Sequence, residues 1–343
     1  MSDLTKIVVA PSDSANEPNA ASVSQENYNN NAADFAATSD SIDTDITYAV
    51  VRDIVNDVLK NYPEGYFTKE NPLRMMDYAC GDGNTLKAYA KVFKDLGIPA
   101  TFVCVDINPN HLNTTRDLAE KLGIDSIEFV QADSPHQLGA PSILKKLARK
   151  LNIPAKLVPS KRKKVHLITN YFMLPELSVA ERKKFFQGLK DLLTDEGKII
   201  LASNSKNAYD PSLHRSKDGF TYIEEPQQGV FSPRVTDGKE VIPDGQEVSL
   251  SVISRDGTSY NFGKDTHHKQ TGIQEDLGAV GLVSEKKYKP TASNLPKGVL
   301  TSGELKGLST TDKEKNSVKM YMIEKQSAQA KRQNPKKRRF FRR

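Results

Sequence analysis

Short apolar runs and amphipathic stretches alternate along the first half of this chain. The apolar runs end near Tyr78, Val105 and Val130, and segments with helical spacing separate them. Strands that alternate with helical segments of about 10–15 residues are typical of βαβ units and a parallel sheet. Right-handed crossovers place the connecting helices on both faces of such a sheet. The pattern therefore predicts an α/β fold.

Helical spacing is clearest in the segments that flank these runs. Apolar residues recur at helical spacing from Ile46 to Leu59, before the first strand. Leu86, Tyr89 and Phe93 line one face of the first predicted crossover helix, and residues 111–122 form the second.

The second half of the chain predicts additional strands. Residues 247–254 and 259–262 alternate around Asp256-Gly257, which indicates a β-hairpin. The apolar segments 282–288 and 318–323 fit an antiparallel pair at one side of the sheet.

Each of the first three strands ends at a carboxylate. Asp77 lies at the end of the first strand, Asp106 directly follows the second, and Asp133 follows the third. The turn after the first strand contains Gly81 and Gly83, and glycine allows both a positive φ and close approach of a ligand. Ligands of open α/β sheets bind at the carboxyl ends of the strands. Carboxylates can accept hydrogen bonds from a ribose diol and an adenine amino group, so a nucleoside site is predicted.

A dinucleotide is disfavoured as the ligand of this turn. The dinucleotide fingerprint requires glycines at the first, third and sixth positions, but the sixth position here is Leu86. Asp77 is also a poor neighbour for a diphosphate, whereas it suits a cationic sulfonium ligand that carries an amino group. The residues therefore favour such a ligand over NAD.

These motifs, in this order, resemble those of class I S-adenosylmethionine-dependent methyltransferases of the small-molecule type. The matching segments, over roughly residues 27–325, are 77–83, 105–108, 131–134, 165–174 and 185–201. The resemblance implies a Rossmann-like, mostly parallel seven-stranded sheet with helices on both faces, an added β-hairpin and disordered termini. Two residues depart from the family pattern: His166 stands where the fourth strand often begins with an acid, and Thr85 stands at the inferred position of a third glycine.

The resemblance also implies S-adenosyl-L-methionine as the cofactor and a set of residues that bind it. Asp77, Gly81 and Gly83 would hold the methionine end. Asp106 would hold the ribose, and Asp133 with its neighbour Ser134 the adenine. The complete implied set is Asp77, Ala79, Gly81, Gly83, Asp106, Ile107, Asp133, Ser134 and Asn170.

No catalytic residue or metal is assigned from the sequence. Methyl transfer depends mainly on alignment of the acceptor, and orientation alone contributes about 7–11 kcal/mol. Histidine would suit as a base at neutral pH. His214, His267 and His268 are the candidates nearest a substrate, with a surface or packing role as the alternative for each, while His166 is expected to pack at a strand start. No cysteine or carboxylate completes a ligand set around the histidine pair.

Positive charge is concentrated at the C-terminus. Residues 331–343 contain eight of the 49 Lys and Arg residues, and the remaining 41 face 43 acidic residues. The tail is either a solvated segment, a binding element for nucleic acid or an anionic surface, or a nuclear-import signal if the source is eukaryotic. The absence of a long apolar run, a signal sequence and a disulfide framework predicts a cytoplasmic protein with no transmembrane segment.

The predicted organisation has four parts. These are a disordered segment at 1–26, a helical segment or lid at 27–70, a methyltransferase domain at 71–325 with a substrate-side insertion at 202–265, and a basic tail at 326–343. The predicted function is methyl transfer to a small-molecule acceptor. An RNA or protein methyltransferase that uses the basic tail is the alternative enzyme, and a non-catalytic cofactor-binding module is the alternative outside enzymes. The segment after the fourth strand lacks the Asn-Pro-Pro-Tyr-like signature of enzymes that methylate bases.

Overall fold

An eight-stranded, mostly parallel sheet forms the centre of the protein in the computed structural model. The structure describes residues 8–9, 50–132, 164–171, 173–174, 177–204, 221–225, 234–236, 239–241, 244–253, 259–288 and 318–328. In chain order, the strands of this sheet are β1 (Val8–Val9), β2 (Leu73–Tyr78), β3 (Ala100–Asp106), β4 (Ile127–Gln131), β5 (Val165–Tyr171), β6 (Leu193–Asn204), β12 (Leu282–Tyr288) and β13 (Val318–Lys325).

The strand order is β1-β4-β3-β2-β5-β6-β13-β12. Neighbouring strands in the series β1-β4-β3-β2-β5-β6 all pair parallel. Strand β13 pairs antiparallel with both β6 and β12. This arrangement confirms the Rossmann-like sheet and its antiparallel closing pair. The strand Val8–Val9 is an eighth strand at the edge, and it lies within the segment 1–26 that the sequence predicted to be disordered.

Five helices of ten or more residues are described alongside these strands. They are α1 (residues 50–59), α2 (Asn84–Asp95), α3 (Pro109–Lys121), α4 (Val179–Leu192) and α5 (Gln270–Ala279). Their starts have local causes: the Asn108 side chain accepts a hydrogen bond at the start of α3, and Ser178 and Glu181 form a capping box at the start of α4. None of the described helices has the length and apolar character that crossing a membrane requires.

The helices cover both faces of the sheet, as predicted. On one face, Ile54 of α1, Leu86 of α2 and Leu112 of α3 pack in the same core as Met75 of β2. On the other face, Phe185 of α4 and Ile273 of α5 belong to the same core as Val105 of β3. Strands buried on both faces are expected for a parallel sheet with crossover helices.

Two smaller sheets follow β6. The predicted hairpin is confirmed by β10 (Gln246–Ile253) and β11 (Ser259–His267), which pair antiparallel. Strand β7 (Thr221–Glu225) pairs antiparallel with β10 on its other side. Strands β8 (Arg234–Thr236) and β9 (Lys239–Val241) form a separate pair. The carboxyl ends of β2, β3 and β5 lie next to one another in the large sheet, so the polar residues at these ends share one edge.

Candidate functional site

The turn between β2 and α2 has an alternating left-handed backbone. Ala79, Gly81 and Gly83 have φ values of 60°, 49° and 87°. Thr85, the position inferred from the sequence for the missing glycine, instead lies in the first turn of α2. The third residue with glycine-like conformation is therefore Ala79, and among the described residues it is the only non-glycine residue with a positive φ. Strain of this kind concentrates at functional sites.

Replacing Ala79 by glycine is expected to stabilise the fold by up to about 1 kcal/mol. An L-residue in the left-handed region costs about 1–2 kcal/mol, and the greater flexibility of glycine in the unfolded chain offsets part of that gain. Urea denaturation measures the change. The control A88G, in the middle of α2, should lose about 1 kcal/mol, and an equal loss in A79G would contradict the strain at Ala79.

The two glycines of the turn have different surroundings. A Cβ on Gly83 would lie 3.0 Å from atoms of both Leu118 and Thr115, because this residue packs against α3. A Cβ on Gly81 would meet no atom within 4 Å. The carbonyl oxygen of Gly81 accepts a hydrogen bond of 2.7 Å from Thr115 Oγ1. Gly83 thus serves helix packing, while Gly81 presents its backbone to open space.

The Asp106 carboxylate connects this turn to the start of α3. Its Oδ2 accepts the Gly81 N–H and its Oδ1 accepts the Asn108 N–H, each at 2.9 Å. Oδ1 also lies 3.3 Å from His111 Nδ1. A carboxylate offers about four acceptor positions, so both oxygens retain capacity for a ligand's hydroxyl groups. Gln131 supports the same loop by donating to the carbonyl of Ile107 at 3.0 Å.

Asp77 and Asn170 lie side by side on β2 and β5. Asp77 is 3% exposed, and its Oδ1 accepts a hydrogen bond of 2.7 Å from Thr169 Oγ1. Asn170 is fully buried and donates from Nδ2 to the carbonyl of Tyr78 at 3.0 Å. The buried Oδ1 of Asn170 accepts no hydrogen bond from the described part of the chain.

These atoms fit the cofactor that the sequence resemblance implies. A buried acceptor without a donor costs about 1–3 kcal/mol, so an ammonium group at Asn170 Oδ1 would recover that free energy. The carboxylate of Asp77 next to it carries the opposite charge to an ammonium. Asp106 presents two oxygens for a ribose diol beside the open space at Gly81. These acceptor oxygens and the open turn therefore suit an amino acid joined to a nucleoside.

The structure brings together most of the residues that the sequence singled out. Asp77, the turn residues 79–83, Asp106, Ile107 and Asn170 all lie at the carboxyl edge of β2, β3 and β5. Asp133 and Ser134 lie outside the described residues.

Three supporting residues were not identified from the sequence. Thr169 holds Asp77, Thr115 holds Gly81, and Gln131 holds the loop at Ile107. Thr115 lies three positions after Leu112 on the buried face of α3, so its burial could have been predicted from helical spacing. The other two depend on strand register, which places Thr169 directly opposite Asp77.

Two of the histidines considered from the sequence, His268 and His166, have structural partners. His268 is buried, lies 2.8 Å from Arg182 Nη1 through its Nδ1, and lies 2.8 Å from the carbonyl of Leu174 through its Nε2. Both ring nitrogens are therefore occupied, and His268 is not available as a base. His166 packs at the start of β5, as predicted, and accepts the Arg74 N–H at 2.9 Å. His214 lies outside the described residues.

Stability is expected to fall as the pH drops below about 6.5. Burial lowers the pKa of His166 and of His268 below the ordinary value of 6.5, and the positive charges of Arg74 and Arg182 lower them further. Below that value the unfolded chain binds protons that the folded chain does not, so the free energy of unfolding decreases until the lowered folded pKa is passed. Above pH 6.5, these two histidines do not make the free energy of unfolding depend on pH.

Urea denaturation at about pH 7.5 and pH 5.5 measures this dependence. H166Q and H268Q should each show a smaller loss of stability between the two pH values than the unchanged protein. Asp244 also faces Arg182. Burial opposes its ionisation, but the hydrogen bonds from Arg182 and from the Lys269 N–H lower the pKa of Asp244 below its ordinary value. Asp244 therefore changes the free energy of unfolding only at more acidic pH than the histidines do. If both variants lose as much stability between the two pH values as the wild-type protein does, His166 and His268 are not buried in the neutral form.

Comparison with known proteins shows the family to which the chain belongs. A family described as "Methyltransferase domain" matches residues 69–241 of the chain. An S-adenosylmethionine-dependent methyltransferase from Clostridium acetobutylicum is similar in structure, with a TM-score of 0.51 and 15% identity, over 85% of this chain and 98% of that chain. This similarity shows a shared fold. None of the curated proteins compared matches the chain.

Two further structures are similar at lower scores. The CcbJ methyltransferase from Streptomyces caelestis has a TM-score of 0.47 and 12% identity, over 81% of this chain and 95% of that chain. CalS10 from Micromonospora echinaspora, an amino pentose methyltransferase with bound S-adenosylmethionine, has a TM-score of 0.42 and 13% identity, over 80% of this chain and 90% of that chain. With a family match over residues 69–241 and this strand order, the chain belongs to the methyltransferase-domain family and is a class I S-adenosylmethionine-dependent methyltransferase.

Proposed function

We propose that this enzyme transfers the methyl group of S-adenosylmethionine to a small-molecule acceptor at the carboxyl edge of β2, β3 and β5. The observation that carries the proposal is the arrangement of Asp77, Gly81, Asp106 and Asn170 around one open turn. When bound, the cofactor supplies a methyl group on a positively charged sulfur, which leaves as a neutral thioether.

The methionine end is assigned to Asp77 and Asn170. Asp77 Oδ2 and Asn170 Oδ1 are both oxygen atoms with little solvent access, and an ammonium group would bind to such acceptors more strongly than in water. Thr169 and the carbonyl of Tyr78 hold the two side chains in place. The turn Ala79–Gly83 then contacts the cofactor through its backbone.

The nucleoside end is assigned to the loops after β3 and β4. Asp106 would accept hydrogen bonds from the two ribose hydroxyls, a geometry that a carboxylate satisfies with both oxygens. Ile107, which follows it, would pack against the nucleoside. Asp133 with Ser134 would bind the adenine, as the family resemblance implies.

A small acceptor is favoured by the segment after β5. Leu174 is fully buried and Met173 packs against the same core. The Asn170 amide is already bonded to the carbonyl of Tyr78. Enzymes that methylate a base must hold a flipped, planar ring by stacking and by hydrogen bonds to its edge. An apolar segment and an occupied amide fit that task poorly, and they fit a compact metabolite better.

Replacing Gly81 by alanine is expected to weaken cofactor binding at least tenfold. The new methyl group would occupy the open space beside the turn, where the cofactor is assigned. The left-handed φ of 49° also adds strain of about 1–2 kcal/mol. Titration calorimetry with S-adenosylmethionine measures the affinity, and urea denaturation measures the stability.

Gly97 provides a matched control for this variant. Its φ is +66° and a Cβ there would also meet no atom within 4 Å, but it lies between α2 and β3, at the other end of the strands. G97A should therefore lose similar stability and change the cofactor affinity by less than twofold. Equal affinities for G81A and G97A would exclude a cofactor contact at Gly81.

A labelled-methyl screen tests the acceptor class. The enzyme is incubated with methyl-tritiated S-adenosylmethionine and a cell extract that has been separated into a low-molecular-mass filtrate, total RNA and protein. We expect incorporation into the filtrate with the unchanged enzyme, and at least a tenfold smaller signal with G81A. Incorporation into RNA or protein alone would overturn the small-molecule assignment and favour an enzyme that uses its basic tail, residues 331–343.

A further inference from the structure

A buried ionic cluster connects four separate segments beside the segment after β5. Arg182 of α4 is 2% exposed and donates from Nε to Asp276 of α5 at 2.7 Å. Its Nη1 and Nη2 donate to the two oxygens of Asp244 at 3.0 and 3.1 Å. Nη1 also lies 2.8 Å from Nδ1 of His268. One guanidinium therefore joins α4, α5, the residues before β10 and the residues after β11.

The cluster determines which nitrogen of His268 carries the proton. A guanidinium group only donates hydrogen bonds, so Nδ1 of His268 must accept from Arg182. The proton is then on Nε2, which donates to the carbonyl oxygen of Leu174 at 2.8 Å. His268 thus has one fixed acceptor and one fixed donor, and the donor points at the main chain of another segment.

Leu174 belongs to the segment that starts at the cofactor edge. Asn170, the residue assigned to the methionine end, is four positions earlier, and its Nδ2 lies 3.5 Å from Met173 Sδ. Leu174 is fully buried, and its carbonyl also accepts the Leu177 N–H at 3.1 Å. The hydrogen bond from His268 therefore connects the carbonyl of Leu174, four positions after Asn170, to the cluster.

The same cluster holds both ends of the β10–β11 hairpin. Asp244, just before β10, accepts the Lys269 N–H at 2.6 Å, and the Gly245 N–H donates to the carbonyl of His267 at 2.8 Å. A Cβ on Gly272 would lie 2.3 Å from Asp244 Oδ2, so only glycine permits this approach of α5. Both ends of the hairpin are therefore connected to the segment after β5 through Arg182 and His268.

We propose that His268 is a positioning residue for methyl transfer. Through its hydrogen bond to the carbonyl of Leu174, it holds the main chain at Leu174 in a fixed place relative to the β10–β11 hairpin. This inference rests on the proposed function, together with the expectation from the sequence that the insertion at residues 202–265, which contains β10, lies on the substrate side of the fold. Because displacement of about 1 Å can reduce a rate about 100-fold, loss of this hydrogen bond should reduce turnover more than cofactor binding.

Two substitutions at His268 separate the two hydrogen bonds. The amide nitrogen of glutamine reaches the place of Nε2, so H268Q can still donate to Leu174. The amide oxygen of asparagine reaches the place of Nδ1, so H268N can still accept from Arg182 but loses the bond to Leu174. A role limited to satisfying Arg182 predicts that H268N is the milder change, whereas the positioning role predicts the reverse.

Amide hydrogen exchange and labelled-methyl transfer give the readouts. We expect amide exchange at Met173, Leu174 and Leu177 to be at least tenfold faster in H268N than in the wild-type protein, and within threefold of the wild-type rate in H268Q. Turnover of methyl-tritiated S-adenosylmethionine with the low-molecular-mass filtrate should fall at least tenfold in H268N, while the affinity for S-adenosylmethionine by calorimetry changes less than threefold. Equal behaviour of the two variants, or a milder H268N, would overturn the proposal.

The exchange readout does not require an acceptor. If the filtrate contains no acceptor, the proposed function fails, but faster exchange in H268N alone still supports the hydrogen bond to Leu174. Nitrogen-15 NMR of the unchanged protein is a second test that requires no variant to fold. We expect the proton of His268 on Nε2, and a proton on Nδ1 would contradict the arrangement.

Discussion

Replacing Asp106 by alanine is expected to weaken the binding of S-adenosylmethionine by about 100-fold or more. The carboxylate accepts the Gly81 N–H and the Asn108 N–H, and it is assigned to the ribose diol. Each hydrogen bond to a charged group contributes about 1.5–3 kcal/mol, and every 1.4 kcal/mol is a factor of ten in affinity. Loss of the side chain removes the ribose contacts and also releases the turn that presents Gly81. Titration calorimetry with S-adenosylmethionine measures the change.

Two further variants define what the Asp106 result means. D106N keeps an acceptor oxygen but removes the charge, so we expect a loss of about tenfold. D117A changes an exposed acid on α3, and its affinity should stay within twofold of the unchanged enzyme. A loss of less than fivefold in D106A would show that this carboxylate organises the turn without contacting the ribose.

Replacing Lys198 by methionine is expected to lower the free energy of unfolding by about 3–5 kcal/mol. Lys198 of β6 and Glu324 of β13 are both fully buried and form an ion pair, and Lys198 Nζ also lies 2.5 Å from Glu285 of β12. Removing one partner of a buried pair leaves an uncompensated charge in a medium of low dielectric constant. Urea denaturation measures the change.

The double variant K198M/E324M tests the electrostatic cause. Both charges are then absent, and a buried pair is often replaced by apolar residues with little net cost. We expect most of the stability lost in K198M to return. If the double variant is as unstable as K198M, packing around the Lys198 side chain rather than the charge of Glu324 explains the effect.

Local patterns determined the general fold and the edge that carries the site. The period of apolar residues identified α2 and α3, and the strand ends at Asp77 and Asp106 identified a nucleoside site. These features can be predicted from the sequence because helix periodicity, strand alternation and glycine turns depend on residues a few positions apart. Right-handed crossovers between parallel strands then place helices on both faces of the sheet, as the structure shows.

Only part of the conformation of the turn between β2 and α2 could be predicted from the sequence. Gly81 and Gly83 were identified from residue type, but the third left-handed position falls on Ala79 rather than at Thr85. Residue type alone does not reveal strain, because alanine adopts a positive φ only where the surrounding structure forces it.

The supporting contacts of the site were decided by tertiary structure. Arg182 and His268 are 86 positions apart, and His268 and Leu174 are 94 apart. Thr169 meets Asp77 across 92 positions through the register of β2 and β5. Such pairs form only after the sheet, the hairpin and α4 are packed, since no periodic signal links residues so distant in the chain. The sequence by itself thus determined the type of fold and the type of ligand edge, whereas the packed fold decided which side chains hold that edge in place.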